Sequence, residues 1–363
     1  MVKLIQKENQ NYYECEECHY AYGTEELAQK CENWCKTTRS CNLEIIKYGK
    51  KFEIDPETAI KNEKTIGSTI ISGLLGVFVG GFLVFIFSKF NYINGNLMAN
   101  KVNVENIIQA IVAQVLPKEG FQTRLAFGNS VQKMIDCKVI DIEKLKKLYN
   151  GNIPEYIQKA IDGNNEPIVI NNETANYLLT LFWPLGLSNK TEFNENIPFS
   201  KKDLPYLAST GGWWLGEKNN GVEYFNKCEI IKLTPEQESI VYEVAQNTYR
   251  PCCNNSTFAQ DCNHGSALLG ALELAASQGY SKDELYKLAL QLNSFWFPDN
   301  YVKIALYKKL VENQDWQNIN PKEIMSIKYS SISGYLQNVE KKLAQLNLPG
   351  IQTQGAGCGL QNE

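Results

Sequence analysis

The chain has 363 residues, of which 44% are hydrophobic and 21% charged, with a formal net charge of −4. That composition excludes wholesale disorder and leaves room for one large domain plus smaller pieces. The 36 basic residues are dispersed among 40 acidic ones, which argues against a broad basic face for nucleic acid.

The first strong signal is Cys15-x2-Cys18-x12-Cys31-x3-Cys35. A module this short buries too little apolar area to fold alone, and four thiolates closing on Zn²⁺ supply the missing free energy. Cys15 and Cys18 are expected on a β-turn knuckle with His19 beside them. Cys31 and Cys35 fall one turn apart on one helix face. Tyr22 and Leu27 or Ala28 occupy the apolar positions. Residues 13–37 therefore resemble the C2H2-type ββα zinc finger in a four-cysteine version, within a module drawn at 10–45. The helix segment GTEELAQKCENWC carries three glutamates and one lysine, which repel phosphate, so the module is expected to bind a cytoplasmic protein partner or to be structural. Other readings stay open: Cys15-Glu16-Glu17-Cys18-His19 matches c-type haem attachment, a CxxC pair can be redox-active, and Cys41 can replace one ligand.

A linker over 46–64 leads to residues 65–88, which contain no charged side chain and are flanked by Lys64 and Lys89. As a helix this stretch is roughly 36 Å long, enough to span a ~30 Å hydrocarbon core. Lysines cluster before it, which by the positive-inside rule puts the N-terminus in the cytoplasm and the rest outside. Ser72, Gly76 and Gly80 recur every fourth residue and can form a homodimer face within the lipid bilayer.

From 103 to 347 helical periodicity and cap signals dominate. Asn103 precedes VENIIQAIVAQVL, and Asp141 opens IEKLKKLY, which Gly151 closes. Thr234-Pro235-Glu236-Gln237 and Ser281–Glu284 read as capping boxes. Further helices are expected near 173–183, 265–278, 299–313 and 332–345, with only Pro167–Ile170 and Glu229–Leu233 extended. The fold class is therefore mainly α: a small ββα zinc-finger-like module, one transmembrane helix and an all-α globular domain. Residues 348–363, with Cys358, read as a disordered tail.

One loop stands apart. YRPCCNNSTFAQDCNHG, residues 249–265, holds Cys252, Cys253, Cys262 and His264 between two predicted helices. Cys262 and His264 fall at a helix N-terminus, where free backbone N–H groups favour a thiolate. These residues can bind Zn²⁺ or copper, with Asp261 as fourth ligand or supporting group. Cys262 can instead be a nucleophile with His264 as base, or be bridged to Cys252 or Cys253, or be core. Arg250 can hold an anion or pair with a carboxylate. Trp213 and Trp214, in a glycine-rich loop, are either core or aromatic surface over a pocket.

The YRPCC…DCNHG block resembles a group of uncharacterised bacterial membrane proteins with a similar cysteine module in front, and no activity follows from that resemblance. No hydrolase triad, P-loop, dinucleotide fingerprint or HExxH helix is present. The sequence thus points to a membrane-anchored metal-binding or metal-sensing protein. A thiol enzyme using Cys262 and an interaction protein with structural disulfides are the alternatives.

Overall fold

In the computed structural model the described residues are 2–7, 10–38, 41–52 and 105–346. The N-terminal module is a four-stranded antiparallel sheet, β1 (Lys3–Lys7), β2 (Gln10–Glu14), β3 (Tyr20–Tyr22) and β4 (Lys50–Lys51), in sequential order. Helix α1 (Glu25–Thr38) packs against β2 and β3. It carries acidic Glu25 and Glu26 in its first turn and Lys36 in its last, matching the helix dipole. Ala28, Cys31, Glu32, Cys35 and Thr38 are buried on it, at the three- and four-residue spacing of one helix face. The hairpin-then-helix expectation is met, and β1 and β4 extend the sheet on both sides of it. β4 lies in the stretch read as linker. Gly49 admits β4 to the sheet, because a Cβ there would come within 2.8 Å of the Tyr22 ring.

The second body is helical, with one two-stranded ribbon pairing Phe121–Gln122 with Val169–Ile170. Both capping boxes form: Thr234 with Gln237, and Ser281 with Glu284. Asp141 caps Ile142–Leu148 by accepting from the Glu143 and Lys144 amides. At the centre the mostly buried, uncharged helix Ala175–Ser188 crosses helix Asn263–Ser277. Gly186 and Gly270 sit at the crossing, where a Cβ on Gly186 would fall 1.9 Å from the Ser266 carbonyl oxygen. Backbones this close exclude every larger residue.

Asn189 ends the first of these helices and is fully buried. Its Oδ1 accepts from the amides of Ile230 and Ile231, and its Nδ2 donates to Glu273 Oε2 at 3.1 Å. Glu273 Oε1 has no partner among the described residues, and burial pushes this carboxyl well above its ordinary range. Nearby, Cys137 and Cys228 form a disulfide across 91 residues of sequence, a pairing the sequence pattern did not suggest.

The single-pass arrangement requires correction. The module and the helical domain touch: Asn255 Nδ2 donates to the Thr38 carbonyl at 2.7 Å, Trp34 meets Tyr206 edge-on, and Asn42 bridges Leu207. Groups in hydrogen-bond contact cannot lie on opposite sides of a bilayer, so a cytoplasmic module with an extracytoplasmic domain is excluded. Among the described residues no helix is long and apolar enough to cross a membrane. Residues 65–88, with Ser72, Gly76 and Gly80, and the tail with Cys358 lie outside the described residues.

Two outcomes follow from this packing. Replacing Cys137 and Cys228 together by serine should lower unfolding stability by about 2–4 kcal/mol under oxidising conditions, because the cross-link shortens a long loop in the unfolded chain. A denaturant midpoint unchanged from wild type would show that the bridge contributes nothing. For Glu273 the native pKa is raised, so its contribution is fully present below the unfolded value near 4.5 and is lost as pH climbs toward the folded value. Glu273→Gln should flatten the fall in stability as pH rises above about 4.5, measured by urea melts at increasing pH.

Candidate metal centres

The first centre is assembled by the β2–β3 knuckle and α1. The Cys15 amide donates to the Tyr20 carbonyl at 2.9 Å, and the His19 amide donates back to the Cys15 carbonyl at 2.8 Å. His19 takes φ 61°, which turns the chain so that Cys15 and Cys18 face the same way. Its ring goes elsewhere, with Nδ1 2.9 Å from Glu14 Oε1, so His19 is a knuckle residue. Cys31 and Cys35 come from adjacent turns of α1. The sulfurs of Cys18 and Cys31 are 3.5 Å apart and those of Cys31 and Cys35 are 3.9 Å apart. All four sulfurs lie within 4.8 Å of one another, and Cys41, though buried, is outside the group. Tetrahedral coordination with Zn–S bonds of about 2.3 Å puts sulfurs about 3.8 Å apart, so the cluster fits a metal ion.

Four thiols this close do not ionise independently. Hydrogen bonds from Cys18, Cys31 and Cys35 hold Cys15 far below the usual thiol range. The hydrogen bond with Cys15, followed by that with Cys31, pushes Cys18 far up; Cys35 is raised mainly by Cys15 and Cys18. A divalent cation removes that conflict by replacing the shared protons.

The second centre is built on the loop before helix Asn263–Ser277. Cys262 is the N-cap of that helix, and its sulfur accepts from the Gly265 amide at 3.4 Å. The Cys252 sulfur lies 3.6 Å from that of Cys262 and 3.8 Å from that of Cys253. The three sulfurs lie within 4.8 Å of one another. Cys253 and Cys262 are buried, while Cys252 is partly exposed. Sequence spacing placed these three thiols on one loop; the fold brings their sulfurs together.

Arg250 organises this centre, and it is fully buried. Nε donates to Cys262 Sγ at 3.1 Å, Nη1 donates to the Asn255 carbonyl at 3.0 Å, and Nη2 pairs with Asp261 Oδ1. Asp261 is equally buried, and its Oδ2 accepts from Asn255 Nδ2 at 3.1 Å. Of the two roles open to Arg250, pairing with a carboxylate is the one seen. Burial opposes ionisation of Cys262, but hydrogen bonds from Cys252 and Cys253 and the Arg250 charge outweigh it and hold this thiol well below the usual range. Cys253 is driven the other way, by burial first and then by Cys252.

The imidazole of His264 packs against Phe297, with ring centroids 4.5 Å apart, and favours the Cys262 thiolate beside it. Trp213 is core, in edge contact with Trp183 at 4.9 Å, whereas Trp214 is partly exposed beside Lys144, Lys147 and Leu148. Asn255, which ties the loop to the N-terminal module, carried no sequence signal beyond its place between the cysteines.

Arg250→Gln should destabilise the protein by about 3–5 kcal/mol, because it strands the buried Asp261 charge. The double replacement Arg250→Gln, Asp261→Asn removes both charges and should recover part of that loss in thermal melts. A single substitution as mild as the double one would mean that the pair is not the anchor of the loop.

Comparison of the chain with protein-family models, with curated proteins and with solved structures found no match. The chemistry of these two centres therefore has to be read from their own residues.

Proposed function

We propose that this is a metal-binding protein with two distinct centres. Cys15, Cys18, Cys31 and Cys35 hold a structural Zn²⁺. Cys252, Cys253 and Cys262 bind a second ion of the soft or borderline kind, Zn²⁺ or copper, with His264, whose ring nitrogens lie outside the group of converging sulfurs, as a supporting group. The observation that carries the reading is the convergence of three thiol sulfurs, at the separations of a coordination shell, against a buried guanidinium.

Charge supports a divalent ion at the second centre. Arg250 and Asp261 cancel, so three thiolates leave a net charge of about −3 in a buried site. A 2+ ion reduces that to about −1, which the N-terminus of helix Asn263–Ser277 favours. A 1+ ion leaves about −2. Zn²⁺ therefore suits the surroundings better than Cu⁺ on electrostatic grounds, while thiolate softness pulls the other way.

A second reading is supported by a specific contact. Arg250 Nε and the Gly265 amide both point at Cys262 Sγ, an arrangement that also activates a thiolate for nucleophilic or redox chemistry.

The two readings separate on one reduced sample of the full chain. Metal binding predicts two Co²⁺ ions with thiolate charge-transfer absorption. Cys262→Ser should weaken the second ion on the order of 100-fold or more, whereas His264→Ala should cost no more than the roughly 10- to 100-fold of losing a supporting group. Uptake of one ion only, with fast alkylation of Cys262 that slows in Arg250→Gln, would replace this reading with the thiol-enzyme one.

A further inference from the structure

The two cysteine centres belong to different folding units, yet one chain of contacts runs between them. Thr38, the last residue of α1, lies one turn beyond Cys35. Its carbonyl accepts from Asn255 Nδ2, and the same nitrogen donates to Asp261 Oδ2. Asp261 holds Arg250, and Arg250 holds Cys262. A second route reaches the same residue. Asn42 bridges Leu207, and Ser209, two residues on, donates its amide to the Asp261 carbonyl at 3.4 Å and its hydroxyl to the Gln260 carbonyl. Both routes end on the residue before Cys262.

A path of contacts alone does not transmit anything; an element with two states is needed. The module supplies one, because a small cysteine-ligated unit folds when metal is bound and loses its structure without it. Only the folded form presents the Thr38 carbonyl to Asn255 and Asn42 to Leu207.

We infer that metal in the Cys15, Cys18, Cys31, Cys35 cluster raises the affinity of the Cys252, Cys253, Cys262 centre for its own ion, through docking of α1 on Asn255 and of Asn42 on Leu207. This rests on the metal reading of the second centre. The N-terminal metal organises the loop that carries the second site. Loss of that metal releases Asn255, so Asp261 and Arg250 no longer fix Cys262. Coupling is reciprocal by thermodynamic necessity, so an ion at the second centre tightens the first by the same factor.

The test is a thermodynamic cycle on the reduced full chain, with Co²⁺ as the probe and a chelator competition to read each affinity. Asn255→Ala should leave the N-terminal ion in place and weaken the second roughly 5- to 50-fold, within the usual span of coupling between sites. Asn254→Ala serves as the control: its side chain accepts from the Ser333 amide and hydroxyl, and among the described residues it has no hydrogen bond to the module, so both ions should bind as in wild type. Cys31→Ser with Cys35→Ser should weaken the second ion at least as much while helical circular dichroism persists. In the Asn255→Ala background that double substitution should add far less. Wild-type affinity at the second centre in both variants overturns the coupling and leaves the metal reading standing. Equal weakening by Asn254→Ala and Asn255→Ala also overturns it, reducing the effect to loop destabilisation. Absence of any second ion in wild type removes the metal reading and the coupling with it.

Discussion

Arg250 is a cation with no solvent around it, and the surrounding loop is arranged to give it acceptors. A guanidinium transferred out of water loses hydration that Coulomb attraction alone does not return, so each of its three nitrogens needs an acceptor. Asp261, the Asn255 carbonyl and Cys262 Sγ supply them from three points of one loop. The loop closes around the side chain, and three sulfurs meet as a consequence. Remove the cation and three thiols and a buried carboxylate are left crowded together without a counter-charge, held only by the Asn255 side chain on Asp261 and the Gly265 amide on Cys262. The ion pair is thus the constraint on which the centre depends, and the Asn255 bond to Thr38 makes the N-terminal module depend on it as well.

The rest of the helical domain serves to hold that loop still. Helix Asn263–Ser277 begins at Cys262 and runs straight into the core, where Gly270 lets it lie against helix Ala175–Ser188. A displacement of Cys262 along this axis would drive backbone into backbone. The opposite end of the loop is tied by the Tyr249 amide to the Met325 carbonyl and by Asn293 to the Tyr249 carbonyl. The thiols therefore project from a rigid frame, the condition under which loop residues keep a defined coordination geometry.

Much of this was legible in residue order. Capping boxes at Thr234 and Ser281, the cap at Asp141 and the apolar runs placed most helices, because caps and periodicity act over four to seven residues. The cysteine spacing located both sulfur groups for the same reason. Contacts over long separations were not legible. The Cys137–Cys228 bridge, the Asn189–Glu273 pair and the docking of Asn255 on Thr38 join residues whose neighbours give no hint of one another. The expected topology failed on the last of these, since a charge asymmetry among flanking lysines says nothing about which surfaces touch. Arginine is scarce in this chain. Only three of 36 basic residues are arginine. Arg250 forks to three acceptors, and Arg124 forks to Glu284 and the Gly279 carbonyl while stacking on Tyr280. Both sit where a flat, multiply donating group is required and a lysine would not serve.

Gly265 shows how narrow the conditions for such a centre are. Its α-carbon faces the guanidinium, and a methyl group there would stand 2.8 Å from Arg250 Cζ. The position is closed to the other nineteen residue types unless the arginine leaves, and the arginine cannot leave without exposing Asp261. The centre therefore writes itself into primary structure as one indivisible phrase: Arg-x-Cys-Cys, Asn255 two residues on, then Asp-Cys-x-x-Gly. Any other chain that carries this machinery should spell all of those letters or none, which makes the phrase a stricter guide to shared chemistry than the cysteines by themselves.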